Sequence, residues 1–256
     1  RSPAALNEMA ALRPDLLVTV AYGRIVPRAL LDLPPLGAIN LHPSLLPRYR
    51  GASPIQAAIA DGATTTGVTI AYMTEELDAG DIVLQREVSI ALEETAGELE
   101  ARLAAAGAAL LVEAVRLIAL GQAPRRPQDH AQATYVGRLT KADGALVWSR
   151  PARDLVNLVR AMNPWPCAYA TWRGRVLKVW RARGGEGAGS PGQVLAAGED
   201  GIAVAAGEGA TVLTEVQLEG GRRMPAGAFL RGHPLRPGDR LEDGAATAAP
   251  ASEMIE

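Results

Sequence analysis

The sequence predicts an α/β protein: a doubly wound, mostly parallel sheet in its first half, then a small barrel of short strands. Three observations carry this expectation. A helix, a strand, a helix and a strand alternate at the start, as in doubly wound sheets. The run 16–21 (Leu-Leu-Val-Thr-Val-Ala) is almost continuously apolar, as in a parallel strand covered on both faces. Beyond residue 150, short β-type runs are spaced by Gly-rich turns, the pattern of a small barrel.

Taken in order, Ser2 can cap a first helix with Pro3 in its opening turn and Leu6, Met9, Ala10 and Leu12 on its apolar face. Arg13-Pro14-Asp15 ends it before the 16–21 strand, and a short helix at 27–31 leads to a second strand beginning at Gly37. Ser53 and Pro54 open a helix through residue 59. Residues 67–73 and 82–90 are two β-type runs whose connection is too short for a parallel crossover, so they pair antiparallel. Thr95-Ala96-Gly97-Glu98 reads as a capping box for a helix to about residue 120, with Gly121 as its stop. The polar, proline-bearing stretch from 123 reads as a linker. One amphipathic helix over 151–162, a rigid Asn163-Pro164-Trp165-Pro166 turn and strands at 169–172, 176–179, 193–196, 202–205 and 211–217 follow. The expected division is 1–122 for a catalytic domain, 123–149 for the linker, 150–243 for the barrel domain and 244–256 for a loose tail.

The stretch with most chemical content is Asn40-Leu41-His42 and the segment after it. Side chains alternate along a strand, so Asn40 and His42 share one side and Leu41 takes the other. Pro43 stops the strand, and strand ends are where open α/β sheets place ligands. Histidine exchanges protons near neutral pH, and a carboxamide can donate to an oxygen gaining charge. Pro47, Arg48 and Arg50 suggest a stiff turn carrying cations over the same place. The 74–81 loop adds four carboxylates, Glu75, Glu76, Asp78 and Asp81, any of which can be a solvated turn residue.

The totals narrow the class. A chain of 256 residues with 48% hydrophobic content suits two modest domains, and a net charge of −2 carries no global nucleic-acid signature. Cys167 is the single cysteine, which excludes an intrachain disulfide and fits a reducing, cytoplasmic setting. The apolar window 104–120 holds Glu113 and Arg116 and is a poor membrane span. His42, His130 and His233 are scattered and form no metal-ligand cluster. Locally, Arg150, Arg153, Arg160, Arg173, Arg175, Lys178, Arg181 and Arg183 face one anion, Asp154, within residues 150–183. Such an excess is either a polyanion footprint or a solvated face.

Asn40-Leu41-His42, the segment 44–51, Gly67-Val68-Thr69 and Leu77-Asp78-Ala79-Gly80-Asp81 resemble the formyltransferases that use 10-formyltetrahydrofolate. Asn163-Pro164-Trp165-Pro166 and the strands after it are similar to the OB-like C-terminal domain of members that act on tRNA. The resemblance implies a Rossmann-like formyltransferase domain with Asn40, His42 and Asp78 as its catalytic trio, thereby selecting Asp78 among the loop carboxylates. It implies folate contacts at Ser44, Leu45, Leu46 and Pro47, with core packing as the other role for the two leucines, and no metal. Formyl transfer from 10-formyltetrahydrofolate to methionine on initiator tRNA, for translation initiation, is the implied reaction, by a monomer. Arg48, Arg50, Arg150, Arg153, Arg173, Arg175, Lys178 and Arg181 are then the candidate tRNA contacts.

In that chemistry an amine attacks the formyl carbon, while Asn40 Nδ2 and a protonated His42 donate to the developing oxyanion. Asp78 beside His42 favours the imidazolium or takes the amine's proton, and His42 protonates the departing folate N10. Family members begin with a strand and a Gly-containing loop upstream of the position of Arg1. The expectation is therefore that the catalytic domain here lacks its N-terminal part, including neighbours that a central 16–21 strand needs. An amino-sugar-nucleotide formyltransferase and a tRNA-binding module without catalysis are the competing readings.

Overall fold

The computed structural model describes residues 3–244, so the cap expected at Ser2 and the tail after 244 lie outside the described residues. Two compact units emerge, Arg1–Ala58, Ala63–Leu92 and Glu98–Arg138 in one, Ile59–Gly62, Glu93–Gly97 and Leu139–Glu256 in the other.

The first unit contains α1 (Pro3–Ala11), β1 (Leu17–Val20), α2 (Arg28–Leu31), β2 (Ala38–His42), β3 (Arg50–Gly51), α3 (Pro54–Ala60), β4 (Thr65–Tyr72), β5 (Ile82–Ser89), most of α4 (Ala96–Ala119) and β6 (Tyr135–Val136). Its main sheet has the order β1-β2-β4-β5. β1 and β2 are parallel, whereas β2–β4 and β4–β5 are antiparallel. The described sheet is thus mixed, not mostly parallel. The antiparallel β4–β5 pair is the expected one, and β4 also runs against β2.

The 16–21 run forms β1 at the end of the described order, with Val18 40% and Val20 52% exposed. An apolar strand that calls for neighbours on both sides thus has one on a single side among the described residues, as expected. The apolar content is present, but among the described residues one of its faces has no covering layer.

α4 shows why its sequence is helical and where it packs. Leu99, Leu103, Leu110, Ala114 and Ile118 recur at helical spacing and are all buried. Burial of each leucine is worth about 1.5–3 kcal/mol. The helix approaches β2 so closely that a Cβ on Gly107 would stand 2.7 Å from Leu41 Cδ1. Leu41 therefore serves the packed face and leaves the other face of β2 to Asn40 and His42.

The second unit contains α5 (Ala152–Ala161), β7 (Ala168–Trp172), β8 (Arg175–Gly185), β9 (Val194–Gly198), β10 (Gly201–Ala205), β11 (Ala210–Leu218), β12 (Met224–Pro225) and α6 (Ala226–Gly232). All its strand pairs are antiparallel, in the order β7-β8-β11-β10-β9 with β12 on β11. Among the described residues β7 and β9 do not pair directly; isolated bridges join Thr171 of β7 to Glu242 and Gln193, beside β9, to Arg240. α5 is amphipathic as expected, burying Ala152, Leu155, Leu158 and Val159. α6 was not expected: its Phe229 lies edge-on to Trp172 and stacked on His233 at 4.6 Å.

Candidate active site

β2 ends at the site. Its parallel register sets Thr19 beside Asn40, and its antiparallel register sets Thr69 beside His42. Thr19 Oγ1 donates to Asn40 Oδ1 at 2.8 Å. That bond points the amide's oxygen at β1 and leaves Nδ2 as its donor, with no protein acceptor for it among the described residues.

His42 is 4% exposed. Its Nε2 lies 2.9 Å from the carbonyl of Tyr49, which can only accept, so Nε2 carries the proton. Nδ1 stands 3.6 Å from Asp78 Oδ2. Burial pushes the imidazole below its usual range, and the opposing pulls of Asp78 and the Tyr49 carbonyl are weaker. The net direction favours the neutral ring, while Asp78 pulls toward the imidazolium, as expected of a carboxylate beside it. Asp78 adopts a left-handed φ of 51°, unusual for a residue with a side chain, and its Oδ2 accepts from the backbone N–H of Gly51 at 2.9 Å. Its side chain is 13% exposed against 5% for His42, so the carboxylate stands nearer the solvent.

The segment 44–50 is held from several sides. Ser44 Oγ donates to the Arg48 carbonyl at 2.7 Å, and Thr69 Oγ1 donates to the Ser44 carbonyl at 2.6 Å. Gln85 Nε2 donates to the Leu46 carbonyl at 2.9 Å, and Tyr49 N donates to Thr134 Oγ1 at 2.8 Å. Ser44 and Leu46 are buried, so Leu46 fulfils the core-packing role; Leu45 and Pro47 are half-buried. Arg48 is exposed and lies over the Tyr49 ring.

Arg50 corrects an expectation. It is 1% exposed, and its guanidinium bonds Gln128 Oε1 at 3.2 and 2.7 Å, the Tyr135 hydroxyl at 3.1 Å and His130 Nδ1 at 3.3 Å. A side chain so enclosed cannot face a nucleic-acid backbone. Gln128 in turn donates from Nε2 to the carbonyls of Asp78 at 2.8 Å and Gly80 at 2.7 Å. A recess of about 380 Å³ lies nearby, lined in part by Arg28, Tyr72, Met73, Gly80 and Arg125, and it includes none of Asn40, His42 and Asp78.

In the second unit the candidate cations fall in three places. Arg150 and Arg153 both pair with Asp154 at the start of α5, at 3.7 and 3.5 Å. At the β7–β8 turn, Arg173 lies over the Trp172 ring and Arg175 donates to the Glu219 carbonyl, with Lys178 exposed further along β8. Arg181 and Arg183 line a recess of about 170 Å³ with Trp180 and Arg160. Arg160 is 8% exposed and bonds the Glu94 carbonyl and Asn157 Oδ1, so it serves the interior.

Thr19, the Tyr49 carbonyl, the Gly51 N–H and Gln128 are the participants that sequence reasoning missed. Thr19 was within reach, because a parallel pairing of its strand with the Asn40 strand places one residue against the other. Gln128 carried no local signal.

An α/β unit presenting an amide donor, a histidine and a carboxylate at a strand end is suited to transferring a carbonyl group. Residues 1–115 match the family model described as formyl transferase, and residues 138–234 match the formyl transferase C-terminal domain. The chain belongs to the formyltransferase family. Methionyl-tRNA formyltransferase of Citrifermentans bemidjiense is 45% identical over 94% of this chain and 76% of its own length. That of Moorella thermoacetica is 47% identical over 92% and 76%. HypX from Aquifex aeolicus, solved with tetrahydrofolic acid, superposes with a TM-score of 0.68 at 22% identity, covering 94% of this chain and 44% of HypX. A Helicobacter canadensis N-formyltransferase, solved with folinic acid and dTDP-3-aminofucose, gives 0.61 at 16% identity over 78% of this chain and 71% of its own. The last two likenesses concern the fold alone.

Proposed function

We propose that this protein transfers the formyl group of 10-formyltetrahydrofolate to the amino group of methionyl-tRNA, serving translation initiation. What supports this is the His42–Asp78 approach at the end of the strand that also bears Asn40, in a chain whose relatives of that name match over nine-tenths of its length.

In this reading Asn40 Nδ2 is the donor to the oxyanion that forms when the amine nitrogen bonds the formyl carbon. One such donor is worth about 2.7–4 kcal/mol in comparable sites. Asp78, the more exposed partner, meets the amine, and the proton that the amine sheds is held between Asp78 and Nδ1 of the neutral His42. The imidazolium so formed stays opposite the Asp78 carboxylate. Collapse of the intermediate breaks the bond between carbon and folate N10, and the held proton goes to N10 as it leaves. The products are the formamide and tetrahydrofolate. Ser44, Leu45, Leu46 and Pro47 form the wall on which the folate lies, with the hydrogen bonds to Thr69 and Gln85 fixing the backbone of that wall.

Arg48, Arg150, Arg153, Arg173, Arg175, Lys178 and Arg181 are the cations assigned to the tRNA. We further assign residues 1–122 to catalysis, 123–149 to the connection, 150–243 to an OB-like domain and 244–256 to a tail. A doubly wound catalytic sheet, a monomer and a cytoplasmic setting complete the reading; among the described residues no helix is long and apolar enough to cross a membrane. The test is to offer 10-formyltetrahydrofolate with methionyl-tRNA in one reaction and a dTDP-amino sugar in another. Formylation confined to the tRNA is expected, and formylation of the sugar alone would overturn it.

A further inference from the structure

We infer that Gln128 is a positioning residue for the reaction, acting through Asp78, with the buried Arg50 fixing its orientation. This rests on the proposed function, in which the Asp78 carboxylate receives the amine's proton. Asp78 sits in a loop that is poor in covering residues and rich in negative charge, and its backbone is left-handed at φ 51°. A residue with a side chain holds that conformation when its surroundings over-determine it. Gln128 supplies such a restraint. One side-chain amide spans two carbonyls on either side of Ala79, those of Asp78 and Gly80, at 2.8 and 2.7 Å.

The chemistry of the partners fixes which way the amide lies. Both carbonyls can only accept, and a guanidinium can only donate. Gln128 therefore turns its nitrogen to the loop and its oxygen to Arg50 Nε and Nη2. The next residue along, Gly51, donates its backbone N–H to Asp78 Oδ2. Arg50 and Gly51 thus hold Asp78 twice, once through Gln128 at its backbone and once directly at its carboxylate. Gln128 is 6% exposed and its amide is occupied by Arg50 and the two loop carbonyls, so its effect passes through the loop.

Gln128→Glu is the discriminating variant, being nearly isosteric. It turns an acceptor toward two carbonyls and releases the loop. Gln128→Asn, which keeps the amide but shortens the reach, is its companion. In the full chain we expect kcat to fall about 10- to 100-fold in Gln128→Glu, as for a reacting group displaced by about 1 Å, with KM for methionyl-tRNA and folate within about twofold. A second readout is independent of turnover. NMR titration of the His42 ring, assigned by its loss in His42→Gln, should move to lower pH in Gln128→Asn, which adds no charge near the ring, as the Asp78 carboxylate withdraws. Circular dichroism verifies that each variant is folded. An unmoved His42 titration in folded Gln128→Asn overturns the inference, whatever the activity. A wild-type protein inactive on methionyl-tRNA would instead overturn the proposed function and leave the titration to decide this point.

Discussion

Thr19 Oγ1 lies 2.8 Å from Asn40 Oδ1, 3.2 Å from Met73 Sδ and 3.3 Å from the Ile39 carbonyl, and the shortest of these bonds favours Nδ2 as the end of the Asn40 amide available to a reacting group. Thr19→Val keeps the shape and removes the donor. The amide is then free to turn, and kcat should fall about 10-fold, less than the roughly 100- to 1,000-fold expected for losing the Asn40 donor outright. Steady-state kinetics with Thr19→Val and Asn40→Ala side by side check the order. Equal losses would mean that the hydroxyl does more than orient.

The neutral His42 has a consequence for acid stability. Its folded-state pKa is lowered by burial, so the unfolded chain binds this proton more readily than the folded one. Stability is unaffected by the group above the ordinary histidine value of about 6.5 and is lost as pH falls from there toward the folded value. Urea denaturation between pH 8 and pH 5 should show a steeper acid loss in the wild type than in His42→Asn. Parallel curves would contradict this.

Gly80 closes the loop over β4 at a point with no room for a side chain, because an added Cβ would run into the Tyr72 carbonyl. The obstacle is backbone, so relief requires the loop to move and Asp78 to move with it. Gly80→Ala should cost about 1–3 kcal/mol in thermal or urea unfolding. It should also reduce kcat by more than the stability change accounts for at the assay temperature. Unchanged kcat in the folded variant would show that the loop adjusts without disturbing Asp78.

The cations near the β7–β8 turn predict a salt effect. If Arg173, Arg175 and Lys178 meet phosphates, the triple alanine variant should bind tRNA with a shallower slope of log K against log salt. The change should reach up to about 0.9 for each phosphate that is no longer neutralised. Filter binding across a salt series measures it. A slope equal to the wild type's would mark these side chains as a solvated face.

How far the sequence could be read depends on whether the signal was local. Period-two alternation was enough to place Asn40 and His42 together and Leu41 against the helix, as Gly107 then showed. The amphipathic spacing of α4 and α5 was equally plain. Asp78 was selected by family resemblance, since nothing along the loop distinguishes it from Glu75, Glu76 or Asp81 in its demand for a partner. Arg50 read as a cation for a polyanion because the sequence shows charge and hides burial; the residues that enclose it lie about eighty positions downstream. β3 and β6, two residues each, have no periodicity at all and exist through their pairing with one another. The net lowering of the His42 pKa was hidden for the same reason, as desolvation is a property of the packed unit, whereas the opposing pull of Asp78 was legible.

The bonds that complete the site join segments far apart in the chain: Thr19 to Asn40, Gly51 to Asp78, Arg50 to Gln128 and Tyr49 to Thr134, the last spanning 85 positions. During synthesis, therefore, the strand bearing Asn40 and His42 leaves the ribosome long before the residues that seat it. A nascent chain can pair its strands early, yet the seating of Asp78 waits until Gln128 has emerged, and that of the Tyr49 backbone until Thr134 has. Activity is therefore expected to appear with completion of the first unit rather than with formation of its sheet.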